Sequence, residues 1–422
     1  MATARFKKSL IATVIAASTL CTGAWRADAD FVQTNLVSDL PGLNALLDPS
    51  LVNPWGSSRL PTSPFWISNQ GTNTATLYAV TDTLNVTKQA LTVTIPTTGS
   101  GPQGPTGQVA NTTTAFQVTS GGSTAPSRFI FANLNGGISG WNGTGTAAVV
   151  AVPSAPGVVY TGLAIQTSPT PTLYAAQANG VDVFNGSFAK VNTIATPTAI
   201  SNLGLVPFNV QNINAEIYVT YAPAGRAAQT SATPGMGAIA VFDQSGALLR
   251  TMTSAQITAA GLAAPWGITL APASFGQFGG DLLVGNFSYA HSSITALDPI
   301  TLALIGNITI DVGSGNTPGG LWFLGFGSGS PNNNGGSPGT LFFTDGIDGE
   351  MHGLFGAINP VVPLPGALPL FATGLGAVGS ARLAQEKEGR SCHLIKTPRS
   401  NFGETAARRS FCLRFVMSAI GP

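Results

Sequence analysis

"APWGITLAP" (264–272), "DLLVGNF" (281–287), "SSITALDP" (292–299) and "LALIGNITI" (302–310) follow one another within 50 residues. Each run is short, rich in β-branched or large apolar residues, and bounded by Gly, Pro, Asn, Asp or Ser. Four such runs read as a four-stranded antiparallel sheet. A sheet apolar on both faces cannot bury itself, so it needs neighbours of its own kind.

The rest of the chain supplies them. One copy comprises "NPWGSSRLP" (53–61), "PFWISNQGT" (64–72), "TATLYAV" (74–80) and "ALTVTIP" (90–96). A second takes "TTAFQVT" (113–119), "SRFIFANLNG" (127–136), "GISGWNG" (137–143) and "AAVVAVP" (147–153). The third runs over 160–194, the fourth over 207–253, and the quoted segment is the fifth. A sixth gives "GLWFLGFG" (320–327), "TLFFTDG" (340–346) and "EMHGLFGAI" (350–358), and lacks a fourth strand.

The residues ending the second strands are Asn69, Asn133, Gln177, Tyr221, Asn286 and Asp345, spaced by 64, 44, 44, 65 and 59. That loose period suits propeller blades with variable loops. Asn and Asp here suit tight turns, where they bond nearby backbone and tolerate left-handed φ. The N-terminal "FVQTNLVSDL" (31–40) is a strand without a sheet, and the sixth copy has a vacancy. Pairing the two leaves no open edge. The expectation is an all-β, six-bladed β-propeller over 31–360, closed by the N-terminal strand completing the last blade.

Composition narrows the role. Charged residues make up 8% of the chain, against about 25% in ordinary globular proteins. Residues 31–360 hold six Lys/Arg and twelve Asp/Glu, a net charge of −6. No basic patch for phosphates is in view, which argues against a nucleic-acid partner. The propeller has no cysteine, and at about 330 residues it can rely on its core. Phe65, Ile67, Phe129, Phe131, Ile217, Val219, Phe342, Trp55, Trp266 and Trp322 are expected to pack sheet on sheet, at roughly 1.5–3 kcal/mol each before entropy.

Chemical motifs are sparse. "GSGPQGPTG" (99–107) has neither the Lys nor the following helix of a phosphate cradle and reads as a loop. "GSGSPNNNGGSPG" (327–339) reads as a flexible insertion. Asp345, Asp348, Glu350 and His352 gather in "DGIDGEMH" (345–352) and could offer ligands to Ca²⁺, the one cofactor considered; a solvated blade turn is the alternative. No nucleophile elbow or His-Glu-x-x-His appears, so no catalytic residue is assigned.

Both ends carry address signals. Arg5, Lys7 and Lys8 precede an apolar stretch and then Ala27-Asp28-Ala29. This is the pattern of a signal peptide over 1–29 with cleavage at Ala27 and Ala29. "NPVVPLPGALPLFATGLGAVG" (359–379) places Pro363, Leu364 and Pro365 ahead of an apolar run near the lower limit of a membrane span. Residues 380–422 then add eight Lys/Arg, three Glu and two Cys, an atypical basic tail.

The segment 361–379 resembles a PEP-CTERM sorting signal in its Val-Pro-Leu-Pro variant. It departs from that pattern in Leu364, where Glu is usual, and in the single Arg382 where a basic cluster is usual. "NLVSDLPGLNALLDPSLVNPWGSSRLPTSPFWISNQGTNTATLY" (35–78) resembles an uncharacterised family of exported bacterial propeller proteins that often carry this tail. The resemblance implies export, processing by exosortase-type machinery and membrane association through 361–379, and it implies no reaction. Two functions stand open. One is a non-catalytic surface or matrix module binding a polysaccharide or protein. The other is a propeller hydrolase or lyase with its site at the channel mouth.

Overall fold

A computed structural model of the chain describes residues 31–97 and 102–361. The signal peptide with Ala27 and Ala29, the sorting motif Pro363-Leu364-Pro365 and the basic tail lie outside the described residues.

Six sheets surround one axis, as the sequence predicts, all antiparallel except that the short strand Leu46–Leu47 adds parallel to the outer edge of the sixth. Their innermost strands are Pro54–Ser58, Pro105–Ala110, Gly162–Gln166, Leu205–Ile213, Pro265–Leu270 and Leu321–Phe326, one per blade, and neighbouring inner strands touch around the ring. Apolar clusters fill the spaces between successive blades. The first strand, Phe31–Ser38, pairs antiparallel with Leu354–Pro360 from Phe31↔Pro360 to Ser38↔Leu354. The orphan strand and the vacancy meet, so the sixth blade is closed by the chain's other end. Asp39 fastens this seam, with one carboxylate oxygen 2.7 Å from His352 Nδ1 and the other accepting the Gly353 N–H.

Three expectations are corrected. The inner strand of blade 2 is Pro105–Ala110, not the run at 113–119, which instead enters a separate hairpin, Gln117–Ser120 with Ser123–Pro126. Phe116 and Val118 explain the hairpin, because both are buried between blades 2 and 3. Pro105 and Gly107 mimic a loop, yet both belong in an inner strand. Pro opens two other inner-strand ladders, at Pro54 and Pro265, and Pro207 pairs within a third, while a Cβ at Gly107 would run into the next inner strand.

The insertion 327–339 is bonded rather than loose. Gly335 bridges Val80, Asn333 Oδ1 accepts the Asp82 N–H at 2.8 Å, and Asn332 and Asn334 donate to the Thr62 carbonyl. Its amides clasp blade 6 to blade 1. Finally, Asn69, Asn133, Asn286 and Asp345 are not in left-handed conformation. They are buried, and the left-handed turn residue in blade 1 is Asn73.

Candidate functional site

Five of the six inner strands open with a β-bulge opposite the end of the second strand; blade 3 runs straight. A bulge re-aims the side chain it carries. In blades 1, 5 and 6 that residue is Trp55, Trp266 or Trp322, so the three tryptophans meet each other instead of packing sheet on sheet. Trp55 stacks on Trp322 with centroids 3.5 Å apart, and Trp266 meets both edge-on at 6.1 and 5.6 Å. Phe208 and Phe287 complete the cluster against Trp322. Trp266 Nε1 donates to the Thr161 carbonyl at 2.8 Å and Trp322 Nε1 to Asn53 Oδ1 at 3.1 Å.

Side chains between neighbouring blades brace the ring below. Gln108 donates to the Gly56 and Trp66 carbonyls, Asn209 to Trp266, Thr344 to Trp55 and Thr106 to Tyr160. The channel is therefore plugged by aromatic rings rather than open.

Above the plug lies a basin of about 510 Å³, within the usual size of a small-molecule pocket. Leu134, Val159, Val206 and Pro207 form apolar wall; Asn53, Gln70, Thr161 and Gln229 add polar groups. Two charged residues line it, Arg226 and Glu350. Arg226 opens the short helix Arg226–Thr230, and its guanidinium carbon lies 4.2 Å from the Phe287 ring centre, 5.3 Å from Trp322 and 5.6 Å from Trp55. A cation over an aromatic face is attracted by the ring quadrupole. Burial brings the guanidinium down to about 10, so it stays charged at neutral pH.

Arg226 Nη2 pairs with Glu350 Oε2, and the same oxygen accepts the Tyr289 hydroxyl at 2.8 Å. Glu350 reaches this position through an unusual turn. Asp348, Gly349 and Glu350 have φ of 54°, 67° and 69°, a left-handed run that costs a non-Gly residue strain. Burial raises the Tyr289 phenol, with Arg226 opposing and Asp345 adding to the shift.

The four sequence candidates separate. Asp345 is fully buried with no hydrogen bond of ordinary geometry to either oxygen, and burial pushes it up to about 7, the Gly319 backbone offsetting only part of that. Asp348 Oδ1 caps Thr317, at 2.6 Å from its N–H and 3.1 Å from its hydroxyl. Glu350 belongs to Arg226 and Tyr289, and His352 to Asp39. Among the described residues no group of three or more His, Cys, Asp or Glu is placed to hold a metal ion. Arg226 and Tyr289 were not singled out by sequence. Their one signal is that Arg226 is among only six Lys/Arg in the propeller.

No family model matches the chain. Two uncharacterised proteins of Acanthamoeba polyphaga mimivirus are similar to it. One is 29% identical over 280 residues, covering 63% of this chain and 71% of the relative; the other is 28% identical over 292 residues, covering 65% and 69%. Among solved structures, hydrazine synthase of Kuenenia stuttgartiensis aligns with a TM-score of 0.44 at 14% identity, covering 73% of this chain and 79% of that one. Virginiamycin B lyase from Staphylococcus aureus aligns with a TM-score of 0.42 at 13% identity, covering 78% and 99%.

Proposed function

We propose that this chain is a non-catalytic binding module whose ligand sits in the basin above the tryptophan plug. One observation carries the reading: the basin is walled mainly by apolar side chains, and its two charged groups, Arg226 and Glu350, are already paired with each other. Hydrolysis or elimination needs a poised acid, base or nucleophile within reach of the substrate. Here the lining holds one carboxylate, engaged by a guanidinium and a phenol, and no histidine. The chemistry suits a compact, largely apolar group with one hydrogen-bonding edge that meets Arg226 and Gln229. A protruding side chain of a partner protein has that character, while a terminal sugar of a polysaccharide would offer only its apolar ring face to these walls.

The leader-like 1–29 and the apolar 361–379 support export and retention at the cell surface after exosortase-type processing. Mass spectrometry of the surface fraction would then find an N-terminus near Asp30.

The full chain is tested on a glycan array and in a thermal-shift screen of small apolar compounds, beside Arg226→Ala. Binding should be saturable and weaken at least about tenfold in the variant, the scale of a lost charge-assisted contact. Turnover of a glycoside or lactone that drops about a hundredfold in Glu350→Gln would replace this reading with the enzyme.

A further inference from the structure

The polar groups lining the basin differ in what they are already bonded to. Asn53 donates to Gln70 Oε1 at 2.8 Å and accepts Trp322 Nε1 at 3.1 Å. Gln70 in turn donates to the Gln103 carbonyl at 2.7 Å, so both of these amides are engaged. Thr161 Oγ1 donates to the Ala176 carbonyl at 3.4 Å. Glu350 is closed to a ligand, because Oε2 holds Arg226 and Tyr289 while Oε1 is buried.

Gln229 is different. It lines the basin and is only 8% exposed. Its carboxamide makes no hydrogen bond among the described residues, and both of its polar atoms remain accessible. It lies three positions after Arg226 in the helix Arg226–Thr230, and residues so spaced share a helix face. Polar side chains this deeply set are nearly always bonded, so an open carboxamide on the basin wall marks where a ligand's polar edge fits.

Charge narrows the ligand further. Arg226 and Glu350 cancel within the lining. A ligand carboxylate would lie near Glu350 and a ligand ammonium near Arg226, and apolar walls strengthen the repulsion and desolvate either ion. A neutral group meets neither obstacle. Gln229 offers an N–H and a C=O side by side, and another primary carboxamide answers both at once with the same pair reversed.

Resting on the reading of the basin as a binding site, we propose that its ligand is a primary carboxamide on a short aliphatic stem, the glutamine side chain of a partner protein. Its N–H would donate to Gln229 Oε1 and its oxygen would accept from Gln229 Nε2, with the Arg226 guanidinium alongside. Its methylenes would lie against the wall of Leu134, Val159 and Val206.

The test is a tryptophan-fluorescence titration of the full chain, whose Trp55 lines the basin. The probes are the N-acetyl methylamides of glutamine, glutamate and methionine at pH 7, alike in size and differing at the end of the side chain. The glutamine probe should bind saturably, and the other two at least about tenfold more weakly, the scale of a lost hydrogen-bonded edge. Gln229→Leu should bring the glutamine probe down to the level of the methionine probe and leave the methionine probe unchanged, with the wild-type circular-dichroism spectrum. Gln229→Glu, similar in shape but without the N–H donors, should weaken the glutamine probe by as much. Equal affinities for glutamine and methionine, both reduced in Arg226→Ala, overturn the carboxamide assignment and leave the basin a binding site. Glutamine binding that survives in both folded Gln229 variants overturns it as well. So does a glutamine probe that never saturates, and the apolar compounds of the thermal-shift screen then decide on the basin itself.

Discussion

Asp345 is the residue whose surroundings differ most from those its side chain prefers. Its counterparts in the other blades are neutral: Asn69 bonds Thr74 and Thr76, Asn286 bonds Ala263, Ser293 and Thr295, and Asn133 accepts from Asn135. Asp345 has no such set, and burial pushes it up to about 7. An unfolded aspartate titrates near 4, so between about pH 4 and 7 the folded chain holds the extra proton and stability falls as pH rises.

Other carboxylates act in the opposite sense at lower pH. Against the push of burial, Lys88 and Tyr78 pull Asp48 down, and Lys190 and Thr193 pull Asp182 down; the Arg250 hydrogen bond does the same to Glu216. The stability these contribute is present above the ordinary carboxylate range and is lost as pH falls below it. Urea midpoints should therefore drop between pH 5 and pH 8, and Asp345→Asn should flatten that drop and raise the midpoint at pH 8. An undiminished slope in the variant would remove Asp345 as its source.

At the scale of elements, the bulged starts of the inner strands in blades 1, 5 and 6 determine what the channel contains. The residue after each tryptophan in blades 1 and 5 is Gly56 or Gly267, where adjacent inner strands approach so closely that no side chain fits. A Cβ on Gly56 would lie 2.7 Å from the Thr106 carbonyl oxygen and 2.9 Å from the Gln108 nitrogen, both backbone atoms. Gly56→Ala should cost about 1–3 kcal/mol by overpacking, read as a lower urea midpoint at unchanged slope. A variant as stable as the parent would mean that the strands can part at this point. The same packing explains the misplaced strand of blade 2: Pro105 and Gly107 look like loop residues until a neighbouring backbone lies against them.

For the whole molecule, closure is the dominant constraint. Phe31–Ser38 covers the edge of Leu354–Pro360, and an uncovered edge with unpaired N–H and C=O groups invites another chain. Removing residues 31–38 should convert a monodisperse species into dimers or larger aggregates in light scattering, with a lower thermal midpoint. Unchanged mass and midpoint would show that the ring holds without its terminal strand. The Asp39–His352 contact holds the first strand within blade 6, and the clasp of 327–339 onto Thr62, Val80 and Asp82 then ties blade 6 to blade 1.

The sheets themselves, their number and the matching of orphan strand to vacancy were all legible in sequence, because strand runs and turn residues are local signals that repeat six times. The strand at Pro105–Ala110 was not, since Pro and Gly signal a break unless a neighbour makes them necessary. The basin belongs to tertiary structure alone. Arg226 and Glu350 are 124 positions apart, Trp55 and Trp322 are 267 apart, and only ring closure sets one beside the other. A propeller gathers such a site from one or two residues per blade, so no contiguous segment carries enough of it to be recognised.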